Sequence, residues 1–111
     1  MALAKENRLK SKKDFDRVFK KGKAVKGTFL LIKYLANNLG VSRFAPILPL
    51  KDMEGVVKRN QAKRVLLEEI RINLDNIKKG LDVVITTRGK AKEGLFKNEL
   101  LNLLKQERLI L

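Results

Sequence analysis

The chain contains no cysteine, no histidine and no tryptophan, and each absence removes a class of chemistry. Without cysteine there is neither a disulfide framework nor a thiolate metal site, and a reducing compartment is compatible. Without histidine there is no imidazole base, no Ser-His or Cys-His nucleophile arrangement and almost no transition-metal site. Autonomous enzymology is therefore not expected, and neither a catalytic residue nor a metal site is assigned to the chain. Aromatic residues make up only 5% and prolines number two, so the core has to be aliphatic, built from leucine, valine and isoleucine. No uninterrupted apolar run approaches the ~20 residues of a membrane span. The opening MALAKENRLKSKK turns charged at once and holds no apolar stretch of signal-peptide length. The expected location is cytoplasmic, with no membrane partner.

Acid is also scarce. Lysine and arginine number 26 against 12 aspartate and glutamate, a formal charge of +14. That excess is larger than solubility requires and points to a polyanionic partner, nucleic acid above all. At 111 residues with 44% hydrophobic composition, the chain is expected to form one domain over residues 1–111 with a single modest core.

The stretch GVVKRNQAKRVLLEEIR, residues 55–71, organises the rest. Wound at about 100° per residue, Arg59, Asn60, Lys63 and Arg64 fall within an arc of roughly 140°, and Ala62, Val65, Leu66 and Ile70 are read as the inward-looking residues. The ordinary account is a solvated amphipathic helix. Arginine forks and an amide near a helix start, however, suit phosphate and ribose contacts better than solubility alone requires.

Around it, Ser11 with Asp14 resembles a capping box, and Phe15, Val18 and Phe19 repeat at helical spacing until Gly22, read as a left-handed stop. Phe15 and Phe19 on such a stripe are ordinarily core; stacking on bases is the sharper alternative. Residues 24–34 turn β-like, with Gly27 dividing a short strand from a longer one. The turn Asn37-Asn38-Leu39-Gly40 leads to a strand over 41–50, placed at an edge or bulged by Pro46 and Pro49. The central helix is expected from about Val56 to Lys78, ended by Gly80. A buried strand follows at 82–88, then a loop at 89–94, then a helix carrying Phe96, Leu100, Leu103 and Leu104. The implied fold is α+β: a two-layer α/β sandwich with a mixed sheet of about four strands and helices mainly against one side.

Several separated motifs then resemble the protein subunit of bacterial ribonuclease P over nearly the whole chain. They are Asn7-Arg8-Leu9-Lys10 with Asp14-Phe15, Val18-Phe19 and Gly22; Arg43-Phe44-Ala45 with Pro49 and Lys51; Val57-Lys58-Arg59-Asn60 with Lys63-Arg64; and Asp82-Val83-Val84-Ile85 with Arg88. The resemblance implies the order α-β-β-β-α-β-α with a left-handed βαβ crossover, against the usual hand. It implies an RNA-binding tRNA-processing subunit of a ribonucleoprotein endonuclease, a hydrolase whose catalytic RNA removes the 5′ leader of precursor tRNA with Mg²⁺ held through the RNA. Partners would be ribonuclease P RNA, 1:1, and precursor tRNA. On matching positions, Arg59, Asn60, Lys63 and Arg64 would face the catalytic RNA, with Lys51 and Lys58 adding phosphate contacts. The leader would pass between the first helix and the sheet, implicating Phe15, Arg17, Phe19, Ile32 and Tyr34. Gln61, Leu50, Pro46 and Asp52 depart from the family pattern. The alternatives are a general or ribosomal RNA-binding protein of related fold, and an independent nuclease using Asp14, Asp16 or Asp82. Those acids are better explained as a cap, a helix-surface charge and a strand-start residue.

Overall fold

The computed structural model describes residues 3–49, 56–88 and 93–110. In chain order these form a short 3-10 turn (Lys5–Asn7), α1 (Lys12–Lys21), β1 (Lys23–Lys26), β2 (Leu30–Ala36), β3 (Arg43–Ile47), α2 (Val56–Asn73), a second 3-10 turn (Leu74–Asn76), β4 (Leu81–Thr87) and α3 (Glu93–Gln106). The expected order of three helices and four strands is present.

The sheet runs β1-β2-β4-β3. Pairs β1/β2 and β2/β4 are antiparallel, and β3 lies parallel to β4. β4 is central because its residues suit burial on both faces: Val83, Val84 and Ile85 are all buried. Pro46 is tolerated because β3 is an edge strand, where a missing donor costs no ladder bond on its open side.

The two faces of the sheet carry different loads. On one, Val25, Leu30, Ile32, Phe44, Val83 and Ile85 meet the helical stripes Ala62–Leu66–Ile70 of α2 and Phe96–Leu100–Leu104 of α3. Side chains such as Leu66, Leu100 and Ile85 are fully buried, and each contributes on the order of 1.5–3 kcal/mol by leaving water. On the other face α1 contributes a single buried residue, Val18, to a small cluster with Leu9, Ala45 and Val84. The sandwich is thus made by α2 and α3, with α1 laid across the opposite face.

The first residues wrap the β3 edge. Leu9 donates its N–H to the Phe44 carbonyl at 3.0 Å, and the Asn7 amide donates to the Ser42 carbonyl at 2.9 Å. Leu3 is buried in the larger core and Leu9 in the smaller one. The strap therefore ties both faces together around an otherwise open edge.

Five local expectations need correction. Ser11 precedes α1 but makes no side-chain capping bond, and Gly22 has φ −73°, outside the left-handed region. Glycine is needed at 22 for proximity instead: a Cβ there would lie 2.4 Å from the Val18 carbonyl oxygen and 3.0 Å from that of Tyr34. α2 ends at Asn73, not Lys78. Gly80, with φ 82°, forms the turn into β4 and does not terminate the helix. Finally, Gly94 belongs to α3, while residues 89–92 of the expected loop lie outside the described residues.

A basic helix face and an aromatic helix over the sheet

The inward stripe of α2 fixes what its other side can do. With Ala62, Leu66 and Ile70 buried, helical geometry turns Asn60, Gln61 and Arg64 away from the core and leaves Lys58 and Lys63 flanking the buried stripe, and all five are exposed. Arg59 is half-buried, and its Nε is buried without a hydrogen-bond partner. The first turn of α2 contains no acidic residue, so the positive end of the helix dipole is reinforced.

Among the described residues, Glu68 pairs with Arg71, Glu69 with Lys97, Glu107 with Lys23, and Asp14 and Asp82 with Arg17 and Arg43. No ion pair among the described residues reaches Lys58, Arg59, Lys63 or Arg64. The four positions singled out in the sequence on α2 are therefore brought together as an uncompensated cationic patch with an amide at its centre. Lys51 lies outside the described residues, as do Leu50 and Asp52.

The five residues assigned to the leader cleft separate. Phe15 and Phe19, one turn apart on α1, stack with ring centroids 6.5 Å apart and planes at 21°. Phe15 leans on the small core, whereas Phe19 is 42% exposed. Arg17 turns inward: its Nη2 donates to Asp82 Oδ2 at 2.8 Å.

Ile32 and Tyr34 do not belong on the cleft floor. A strand alternates its side chains, and on β2 these two share the face covered by α2 and α3. Ile32 is 1% exposed within the larger core. Tyr34 packs against that core and donates its hydroxyl to Glu107 Oε1 at 2.7 Å. Burial and this hydrogen bond raise the Tyr34 phenol above its ordinary value. The β2 residues that look toward α1 are Leu31, Lys33 and Leu35. Lys33 reaches over Phe19, its Nζ 5.2 Å from the ring centroid. The unbroken run Leu30-Leu31-Ile32 hid the alternation; Lys33 was the available signal for the solvent-side register.

Asp82, expected as a strand-start residue, occupies a more consequential position. Its side chain is fully buried, and it accepts from Arg43 Nε at 2.7 Å, Arg43 Nη2 at 2.7 Å, Arg17 Nη2 at 2.8 Å and Asn37 Nδ2 at 2.9 Å. Burial alone would raise its pKa, but the Arg43 and Asn37 hydrogen bonds and the arginine charges outweigh it and hold the carboxyl below its ordinary value. A carboxylate so enclosed by donors has no lone pairs to spare for a metal. Among the described residues no group of three or more acidic side chains is placed to hold one, and no helix is long and apolar enough to cross a membrane.

Fold and site together define an α+β polyanion-binding protein that presents cations and an exposed aromatic ring. Comparison with known proteins makes this specific. The family model described as Ribonuclease P matches residues 3–107. The ribonuclease P protein component of Caldanaerobacter subterraneus subsp. tengcongensis is 38% identical over 92 residues, 83% of this chain and 78% of that protein. That of Clostridium botulinum strain Langeland is 33% identical over 106 residues, 92% of this chain and 95% of the other. Among solved structures, the Thermotoga maritima RNase P protein in complex with 1-(4-fluorophenyl)-2-thiourea superposes with TM-score 0.80 at 31% identity, covering 88% of this chain and 97% of that one. A Staphylococcus aureus RNase P protein mutant shares the fold at TM-score 0.87 and 24% identity, over 96% and 92% of the two chains.

The chain belongs to the ribonuclease P protein family. Membership makes it a subunit of the ribonuclease P endoribonuclease, a ribonucleoprotein of tRNA 5′ processing whose RNA is its partner. The general or ribosomal RNA-binding alternative is not favoured.

Proposed function

We propose that the chain uses two faces in this role. Lys58, Arg59, Asn60, Lys63 and Arg64 of α2, with Lys51, bind the catalytic RNA. Phe15, Phe19 and Lys33, between α1 and the sheet, bind the 5′ leader of precursor tRNA. The chain acts as one domain, 1:1 with the RNA, in the cytoplasm.

The observation that carries this reading is that, among the described residues, no ion pair reaches Lys58, Arg59, Lys63 or Arg64, while Glu68 and Glu69 of the same helix pair with Arg71 and Lys97. Unpaired arginine forks bind phosphate oxygens in a planar two-point geometry, and the displaced counter-ions add favourable entropy. An exposed phenylalanine beside a lysine offers a stacking surface and a charge to the same nucleotide, which suits a single strand.

The protein's contribution is then binding and orientation. Holding the leader beside the catalytic RNA makes substrate capture effectively intramolecular and lowers the Mg²⁺ concentration needed to screen RNA from RNA. Mg²⁺ held by RNA phosphates would supply the activation of the attacking water; Asp14 and Asp82 of this chain are occupied by arginines.

Cleavage of a leader-bearing precursor tRNA by bacterial ribonuclease P RNA at low Mg²⁺, with and without the protein, tests the reading. Cleavage at the 5′ maturation site restored by this protein, and not by an equally basic control, is the expected result. No restoration, even with RNA from the same source, overturns it.

A further inference from the structure

α1 is held over the sheet by very little apolar surface. Val18 is its only buried residue. What orients the helix is a closed square of charge in which helix and sheet each supply one acid and one base. Arg17 of α1 reaches Asp82 of β4 at 2.8 Å, and Arg43 of β3 reaches Asp14 of α1 at 3.2 Å. Arg43 binds Asp82 through two nitrogens, each at 2.7 Å, and Arg17 closes the figure on Asp14 at 3.6 Å.

Asp14, Arg17 and Val18 lie on one helical stripe, at i, i+3 and i+4. Phe15 and Phe19 lie on the adjoining stripe, about 100° further round. The same rotation of α1 that seats Arg17 on Asp82 therefore decides where Phe19 stands relative to Lys33. Asp82 is the fixed corner: it is fully buried on the central strand and is also held by Asn37 at 2.9 Å.

We propose that Asp82 is a positioning residue for the leader-binding face: through Arg17 and Arg43 it sets the rotation of α1, and hence the placement of the exposed Phe19 ring beside Lys33, the pair that receives the single strand. This rests on the leader reading given above. It makes an unusual demand on electrostatics. Asp82 and Asp14 are acids in a protein of formal charge +14. Coulomb's law alone says that removing either strengthens the binding of any polyanion. Positioning says that removing either weakens leader binding.

The test uses holoenzyme reconstituted with ribonuclease P RNA, and reads the ratio of affinities for leader-bearing precursor and mature tRNA. Wild type, Asp82→Asn, Asp14→Asn and the exposed control Asp75→Asn are compared. Asp14 is partly exposed, so its variant keeps the measurement meaningful should Asp82→Asn lose its fold. The expected result is that Asp82→Asn and Asp14→Asn lower the ratio roughly tenfold, with affinity for mature tRNA and for the RNA subunit unchanged and Asp75→Asn like wild type. The KM for precursor should rise while kcat holds. A ratio that stays the same or rises in Asp82→Asn and Asp14→Asn overturns the positioning role while leaving the leader reading intact. A wild-type ratio of one overturns the leader reading itself, and this inference with it.

Discussion

Lys33 of β2 holds its ammonium 5.2 Å from the centre of the Phe19 ring of α1, joining helix and sheet across the open side of the small core. A cation over one region of an aromatic ring stabilises it by about 0.5–1 kcal/mol at an exposed site, and leaves the ring available to a base. Phe19→Ala is expected to weaken binding of leader-bearing precursor by about 1–3 kcal/mol, the worth of one stacked base, with mature tRNA unaffected. Phe19→Tyr should retain most of the affinity. Equal losses for both RNAs, measured by filter binding, would return Phe19 to a purely structural role.

The uncompensated patch on α2 has a signature in salt. Arg59→Ala with Arg64→Ala should weaken binding to ribonuclease P RNA and flatten the plot of log affinity against log salt by about one unit per lost phosphate contact. Lys78→Ala with Lys79→Ala removes the same charge from the exposed connection between the second 3-10 turn and β4 and should change the slope less. Equal slopes from the two pairs would mean that net charge matters and placement does not.

Acid should loosen α1. The folded Asp82 carboxyl sits below its ordinary value. Its contribution is therefore complete above the unfolded value of about 3.9 and is lost as pH falls through the depressed folded one. Urea unfolding followed across that window should show wild-type stability falling with acid, and the fall should be shallower in Asp82→Asn. Parallel curves would show that Asp82 does not contribute to the acid sensitivity.

Two substitutions should move stability in opposite directions. The Thr87 hydroxyl is buried without a hydrogen-bond partner, so Thr87→Val removes an unsatisfied polar group and is expected to be neutral or stabilising by about 1 kcal/mol. Gly22→Ala pushes a methyl group to 2.4 Å from the Val18 carbonyl oxygen, and should destabilise by about 1–3 kcal/mol. Thermal melting distinguishes them. A destabilised Thr87→Val variant would indicate that the hydroxyl is satisfied in solution.

Much of this was readable from residue order, and the failures have physical causes. The stripe Ala62, Leu66, Ile70 and the run Val83-Val84-Ile85 identify a helix face and a central strand because burial follows period and composition. The basic face of α2 follows from the same stripe by subtraction. Ile32 and Tyr34 went to the wrong side because a one-residue shift in a strand reverses its faces, and an apolar run carries no alternation to fix the phase. Gly22 looked like a left-handed cap because glycine serves both positive φ and close approach, and only coordinates separate them. Arg17 stands among the leader-cleft residues that the resemblance implies because its partner, Asp82, lies 65 residues away, a distance at which sequence pattern is silent.

The strand order β1-β2-β4-β3 also sets a timetable for synthesis. β2 and β3 are neighbours in the chain but not in the sheet; β2 can pair at once with β1, but only β4 joins that hairpin to β3. Until residues 81–87 have left the ribosome, the α2 helix that carries the arginines has been made, but the sheet beneath it has no middle and the strap at the N-terminus has only an unpaired edge to grip. A nascent chain cut off before β4 would therefore display the RNA-binding cations on an unfinished support, and the two faces acquire their fixed relation in a single late event, when the last strand enters between the two that have waited for it.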